Sequence, residues 1–281
     1  VSTRLRQIAA ANARIVADGA YPADDGTLVA VGPALAAAMA GTRSHPPDEP
    51  VDVPAQAGHR TVFEVTGEGS LQAARRLHLE RAERIAVLNF ASARSPGGGY
   101  VNGAKAQEED LCRGALLYPC LLRAPDYYAA HRASSDLLYS HHVIWSPDVP
   151  VHRGDDGALL AAPYLVSFLT CPAPNAGQVL RRDPGARGEI RRVLHERAAR
   201  VLAVAAHHGA RHLVLGAWGC GVFRNDPAEV AEAFHAQLAA PGAFSGAFER
   251  VVFAVWDRTA GSVNRAAFAA RFGPEHRSPV R

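Results

Sequence analysis

Two adjacent glutamates, Glu108 and Glu109, stand in this 281-residue chain shortly after a glycine triplet, Gly97-Gly98-Gly99. Seven residues separate the triplet from the run Gln107-Glu108-Glu109. Glycines reach positive φ and let the backbone approach a ligand closely, so that amide N–H groups face oxygen atoms. By itself a glycine triplet marks only a turn, and acidic residues are favoured in any first helical turn by the macrodipole. The combination says more. A carboxylate held beside a glycine-lined anion cradle is partly desolvated and close to negative charge, two influences that raise its proton affinity toward what a general acid needs. Successive helix residues point ~100° apart, so Glu108 and Glu109 are expected to take different roles.

A second loop carries Gly216, Gly219 and Gly221 within HLVLGAWGCGVFRNDP. It leads to Asp226 as an expected helix N-cap, with Pro227 in the first turn. Exposed amides beside a helix N-terminus suit a diphosphate. Phe223, directly after the glycines, either covers a sugar or packs as a core aromatic. Both loops follow apolar β-branched runs. Ligands of open α/β sheets bind beyond the carboxyl ends of the strands, so one cleft is expected to take in both loops.

The runs that must position these loops are TVFEVT, RIAVLNFA, HHVIWSP, YLVSFLT, HLVLGAW and RVVFAVW. They alternate with helical patterns near 70–83, 107–121, 188–208, 227–238 and 264–272. Such alternation predicts a three-layer α/β/α domain with a mixed sheet over 61–281. In the long helix, Ile190, Val193, Leu194, Ala198, Val201, Leu202 and Ala205 mark the buried face, and Arg191, Arg192, Arg197 and Arg200 read as a solvated one. Residues 1–60 read as a mainly helical extension. There Leu5, Ile8, Ala9, Asn12, Ile15 and Val16 recur at helical spacing, a turn at Asp24 separates short strand-like pieces, and a second helix lies near 33–40.

Composition narrows the classes. With 48% hydrophobic and 20% charged residues the chain is globular and not disordered. A formal net charge of +3 falls short of the basic footprint of a protein that binds nucleic acid by counterion release, so direct DNA binding is not expected. Only one of the 30 Lys+Arg residues is a lysine, Lys105, so a cationic phosphate contact would fall to a guanidinium. No apolar run approaches the ~18–20 residues of a membrane span and no signal-peptide pattern is visible, which makes a cytoplasmic location the expectation. Cys112, Cys120, Cys171 and Cys220 lack C-x-x-C spacing, and the histidines lack H-E-x-x-H spacing. Neither a metal nor a cofactor is expected.

On these residues the sequence resembles the bacterial-type poly(ADP-ribose) glycohydrolases, which are built on a macrodomain. The resemblance rests on GGG, seven residues, then QEE. It extends through LNFASARSPGGG, FLTCPAPNAG, LGAWGCGVFRNDP and VVFAVWDRTAGSVNRAAF, roughly 61–272, and the N-terminal segment is similar to the extension these enzymes carry. It implies a macrodomain that binds ADP-ribose and cleaves the ribose–ribose O-glycosidic bond of poly(ADP-ribose), releasing ADP-ribose. Chain ends are the implied point of attack if the N-terminal segment caps the cleft.

Carried over by motif, Glu109 is implied as the catalytic acid and Glu108 as the residue that holds the ribose hydroxyls. Gly97, Gly98 and Gly99 would shape the loop around the distal ribose, with Gln107 beside them. Gly219, Cys220, Gly221 and Val222 would donate backbone groups to the diphosphate, and Phe223 would pack over the ribose. Many macrodomains place an asparagine shortly before the triplet; Ser92 stands at the equivalent position here, and Asn89 or Asn102 are the alternatives for that contact. The implied partners are poly(ADP-ribose), ADP-ribose and poly(ADP-ribosyl)ated proteins, with the enzyme a monomer. A non-catalytic ADP-ribose reader would need the glycine loops but not the paired glutamates, and a mono-ADP-ribosyl-protein hydrolase is the other alternative. A nicotinamide-dependent dehydrogenase is disfavoured, since no early GxGxxG unit with an acidic residue ~20 positions later is present.

Overall fold

The computed structural model describes residues 2–55, 57–257, 259 and 261–273. Helix α1 (Thr3–Asp18) starts on the Ser2 hydroxyl, which accepts from Leu5 N, and ends at Gly19 in the left-handed conformation. Strands β1 (Ala20–Pro22) and β2 (Leu28–Ala30) pair around the expected turn at Asp24. Then come α2 (Gly32–Gly41), β3 (Arg43–His45), β4 (Val62–Thr66), α3 (Ser70–Leu79) and β5 (Ile85–Phe90). A single 3-10 turn (Tyr100–Asn102) precedes α4 (Gln107–Gly114), α5 (Leu117–Leu121), α6 (Pro125–Ala133), β6 (Val143–Arg153), β7 (Leu159–Cys171) and α7 (Ala176–Arg182). The chain continues through α8 (Arg187–His207), β8 (His212–Leu215), α9 (Pro227–Leu238), β9 (Arg250–Ala254) and α10 (Val263–Phe272). Of the closing motif, Arg258 and Ala260 lie outside the described residues.

Seven strands form one mixed sheet in the order β3-β6-β7-β5-β8-β9-β4. The run from β7 to β4 is parallel, and β6 and β3 continue it antiparallel. All six expected strands are present. The seventh, β3, comes from the first sixty residues, so that segment is not only a helical appendage: it supplies an edge of the sheet. Three residues are too few to show a period-two pattern, which is why the edge strand is invisible in the sequence.

The strands alternate between two apolar layers. Ile85 and Val87 of β5 face Leu77, Leu111 and Leu117, while Ala86 and Leu88 face Leu194, Val201 and Phe234. Burial of each such Val, Leu or Phe side chain contributes ~1.5–3 kcal/mol. Helices therefore cover both faces, the three-layer arrangement expected. The expected helix over 107–121 breaks in two because Ala115 bridges Val151 and the Leu116 N–H donates to Pro150 O. There β6 captures the backbone that a continuous helix would have used. Strands β5 and β8 are parallel neighbours, so the loops at their carboxyl ends open side by side. No helix among the described residues is long and apolar enough to cross a membrane.

Candidate active site

Beyond β5 the backbone of the glycine loop packs against both glutamates. Gly98 has φ +57, and a Cβ on it would lie 2.6 Å from Glu109 Oε1 and 3.1 Å from Glu108 Oε2. Only glycine fits there. The Gly99 N–H donates to Glu109 Oε1 at 2.8 Å, while Glu109 Oε2 makes no hydrogen bond among the described residues. Glu109 is thus a buried carboxylate with one oxygen anchored and one uncommitted.

Glu108 is held differently. Its Oε1 accepts from Asn89 Nδ2 at 3.2 Å and its Oε2 from the Ser92 N–H at 2.7 Å. Burial pushes its carboxyl up to about 8, and the neighbouring Glu109 adds to the rise, against the pull of the Ser92 and Asn89 hydrogen bonds. The raised proton affinity expected of a carboxylate at this loop is present at Glu108.

The supports of this pair are residues that the sequence had suggested as ligand contacts. Gln107 accepts from the Phe90 N–H at 2.8 Å and donates to Leu88 O at 2.8 Å and Ser70 Oγ at 3.0 Å. Its amide joins the start of α4 to the end of β5 and is committed to the protein. Asn89, 0% exposed, donates to Glu108 and to Thr170 Oγ1 at 3.1 Å, so it stands behind the glutamate and not on the cleft surface. Ser92 anchors Glu108 through its N–H, and its hydroxyl accepts from the Ser95 N–H at 3.2 Å. Asn102 is exposed on the 3-10 turn and its N–H donates to Gly99 O. An inward-facing strand residue such as Asn89 cannot be told from a cleft residue by spacing alone.

The second loop is shaped by Asn225, which donates from Nδ2 to Pro174 O at 2.8 Å and to Gly219 O at 3.1 Å. Gly219 takes φ +70, and a Cβ would collide with Ala173 and Asn225. Among the described residues the N–H groups of Gly219, Gly221, Val222 and Phe223 have no partner. The Cys220 N–H donates to Ala217 O, so Cys220 closes the turn instead of offering its amide. Helix α9 starts as expected, with Asp226 accepting from Ala228 N at 2.8 Å and Pro227 in the first turn. Four free amides and a helix N-terminus favour an anionic ligand.

Of the two roles expected of Phe223, the structure shows the packing one. The side chain is half-buried against the apolar layer, and its ring lies 5.8 Å from that of Tyr139. Tyr139 is the residue the sequence did not reveal. It takes φ +60, and the Arg94 guanidinium stands 5.9 Å from its ring, so it spans the distance between the two loops. Its carbonyl accepts from Arg197 Nη2 at 3.1 Å. Arg197, expected on a solvated face, is 0% exposed; it also donates to Pro172 O and His141 Nδ1. Among the described residues no group of three or more His, Cys, Asp or Glu is arranged to hold a metal ion.

The family model of the microbial-type poly(ADP-ribose) glycohydrolase (PARG) catalytic domain matches residues 9–154, beginning within α1 and including the triplet and both glutamates. Among curated proteins none matches the chain. Among solved structures, the X-ray structure of PARG from Thermomonospora curvata is 48% identical with a TM-score of 0.91, covering 96% of this chain and 100% of that one. The same enzyme bound to the inhibitor ADP-HPD gives a TM-score of 0.89 at equal identity and coverage. PARG from Deinococcus radiodurans in complex with ADP-ribose is 47% identical with a TM-score of 0.78, covering 85% of this chain and 97% of that one. Identity near one half over almost the whole length, on the same fold, together with a family-model match that spans the paired glutamates, leads to one conclusion: this chain belongs to the microbial-type poly(ADP-ribose) glycohydrolase family.

Proposed function

We propose that this protein hydrolyses the ribose–ribose O-glycosidic bond of poly(ADP-ribose) and releases ADP-ribose. The observation that carries this reading is the pair of buried carboxylates packed against Gly98, one with an oxygen left to act. A protein that only read ADP-ribose would need the amides of the second loop but would gain nothing from desolvating two carboxylates within one helical turn. The ADP-ribose and ADP-HPD complexes of the related enzymes support the same ligand class.

The diphosphate is held by the Gly219, Gly221 and Val222 amides, which turns the terminal ribose toward the glycine triplet with Phe223 against it. Glu108, immobilised by Asn89 and Ser92, presents its carboxyl to the ribose hydroxyls. Glu109 delivers a proton from Oε2 to the departing ribose oxygen as the glycosidic C–O bond breaks and its electron pair moves to that oxygen. The oxocarbenium-like sugar that results is stabilised by the nearby diphosphate. Water then adds to the anomeric carbon and gives its proton to the Glu109 carboxylate, which restores the acid. One carboxylate serves in turn as acid and base, so the separation rule for two-carboxylate glycosidases does not apply.

Incubation with poly(ADP-ribose) and identification of the product tests the reading. Glu109→Gln is expected to keep ADP-ribose binding and to lose at least ~10³-fold in release, within the range that general acid–base groups supply. Wild-type release by that variant would remove Glu109 from the chemistry. Attack at chain ends is part of the proposal, supported by the start of α1 packing on the catalytic loop, where the Ser2 N–H donates to Gly103 O. Oligomers appearing before free ADP-ribose would overturn it. Polymer carried on protein is the expected natural form of the substrate, and a parallel assay on mono-modified protein separates the two hydrolase readings.

A further inference from the structure

Helix α4, which carries both glutamates, has only eight residues and ends at Gly114. The carbonyls of a last helical turn have no partners within the helix. Here the Ala115 N–H takes Leu111 O, and the next two are taken by a residue about a hundred positions earlier in the chain. Asn12 Nδ2 donates to Cys112 O at 3.3 Å and to Arg113 O at 3.0 Å. The same nitrogen lies 3.1 Å from the hydroxyl of Tyr100, the residue next to Gly99.

The other end of the amide is equally engaged. Asn12 Oδ1 accepts from His152 Nε2 at 2.9 Å and from Arg153 Nε and Nη2 at 3.1 and 3.0 Å. Donors face the oxygen and acceptors face the nitrogen, so only one orientation of the amide satisfies the site. Asn12 is 3% exposed, in the middle of the buried face of α1 between Ala9 and Ile15. A polar side chain is kept there because every atom it carries is used.

On the cleft side, the Gly99 N–H of the catalytic loop donates to Glu109 Oε1 of the helix. On the far side the Asn12 amide joins Tyr100, next to Gly99, to the Cys112 and Arg113 carbonyls one turn beyond Glu109. We propose that Asn12 is a positioning residue for hydrolysis: from the N-terminal helix it clamps the glycine loop and the glutamate helix together and so sets Glu109 against the bond it protonates. This rests on the glycohydrolase reading above. It makes the N-terminal segment part of the catalytic apparatus, and not merely an appendage to the domain.

Displacing a reacting group by about 1 Å costs ~10²-fold in rate. Asn12→Asp keeps the volume and the Arg153 and His152 contacts but turns an oxygen toward the two helix carbonyls. It is expected to lower kcat on poly(ADP-ribose) by ~10–100-fold while the Kd for ADP-ribose stays within about twofold, since the second loop is untouched. Hydrogen exchange is expected to speed up at Gly99 and along α4 but not in β8. Wild-type kcat in folded Asn12→Asp overturns the proposal, as does a parallel loss of kcat and binding. If that variant does not fold, Tyr100→Phe, which removes only one acceptor, decides in its place with an expected ~3–10-fold loss of kcat, and wild-type kcat there overturns the proposal. A wild-type protein that released nothing from polymer would sink the glycohydrolase reading, while the exchange pattern would still report on the clamp.

Discussion

Replacing Glu108 with Gln should make the protein more stable at alkaline pH and leave it nearly unchanged at acidic pH. Burial raises the Glu108 carboxyl from an ordinary value of 4.5 to about 8, so the folded state binds a proton that the unfolded state has released across that interval. Stability contributed by the group is fully present below about 4.5 and is lost as pH rises through about 8. Each tenfold change in proton affinity is ~1.4 kcal/mol, so the interval corresponds to about 5 kcal/mol at most. Glutamine is isosteric with the protonated acid and never pays the desolvation cost of the charge. Its amide also finds an acceptor: Asn89 Oδ1 is buried without a hydrogen-bond partner, and a flip of the Asn89 amide turns that oxygen toward residue 108. Chemical denaturation of wild type and Glu108→Gln at half-unit steps from pH 5 to 9 is the assay. The difference in unfolding free energy between them should grow in favour of the variant by a few kcal/mol and level off above pH 8. Parallel curves across the range would refute the reasoning, because they would mean that Glu108 ionises in the folded protein as easily as in the unfolded chain.

Gly98→Ala places a methyl 2.6 Å from Glu109 Oε1 at φ +57; a loss of ~10²-fold or more in kcat is expected, with a stability cost of ~1–3 kcal/mol read from the denaturation midpoint. Gln107→Ala orphans the Phe90 N–H and Leu88 O and should cost about 1–3 kcal/mol; a weakened Kd for ADP-ribose at unchanged stability would instead make Gln107 a ligand contact. Phe223→Ala is expected to raise the KM for polymer by ~5–10-fold, as a lost sugar-covering ring would, and unchanged kinetics with a lowered melting temperature would reduce it to a packing residue.

The β-branched runs, the two glycine loops and the N-cap at Asp226 were legible in the sequence because each depends on local chemistry: side-chain period, permitted φ, a hydroxyl or carboxylate within three residues of an amide. The break after Gly114, the edge strand β3 and the burial of Arg197 were not legible. Each depends on what lies opposite: Pro150 and Val151 for the helix end, β6 for the edge, and the Pro172 and Tyr139 carbonyls for the guanidinium.

The catalytic pair shows the same division within one motif. Spacing alone determined that a glycine triplet and two carboxylates would meet near the end of a strand, and that the carboxylates would differ. The burial that favours the neutral form of Glu108, the oxygen that Glu109 keeps free, and the N-terminal amide that fastens the helix they share were decided only when distant segments packed together. Desolvation and hydrogen-bond partnership belong to the surroundings of an atom, and residues separated by a hundred positions become surroundings only in the folded chain.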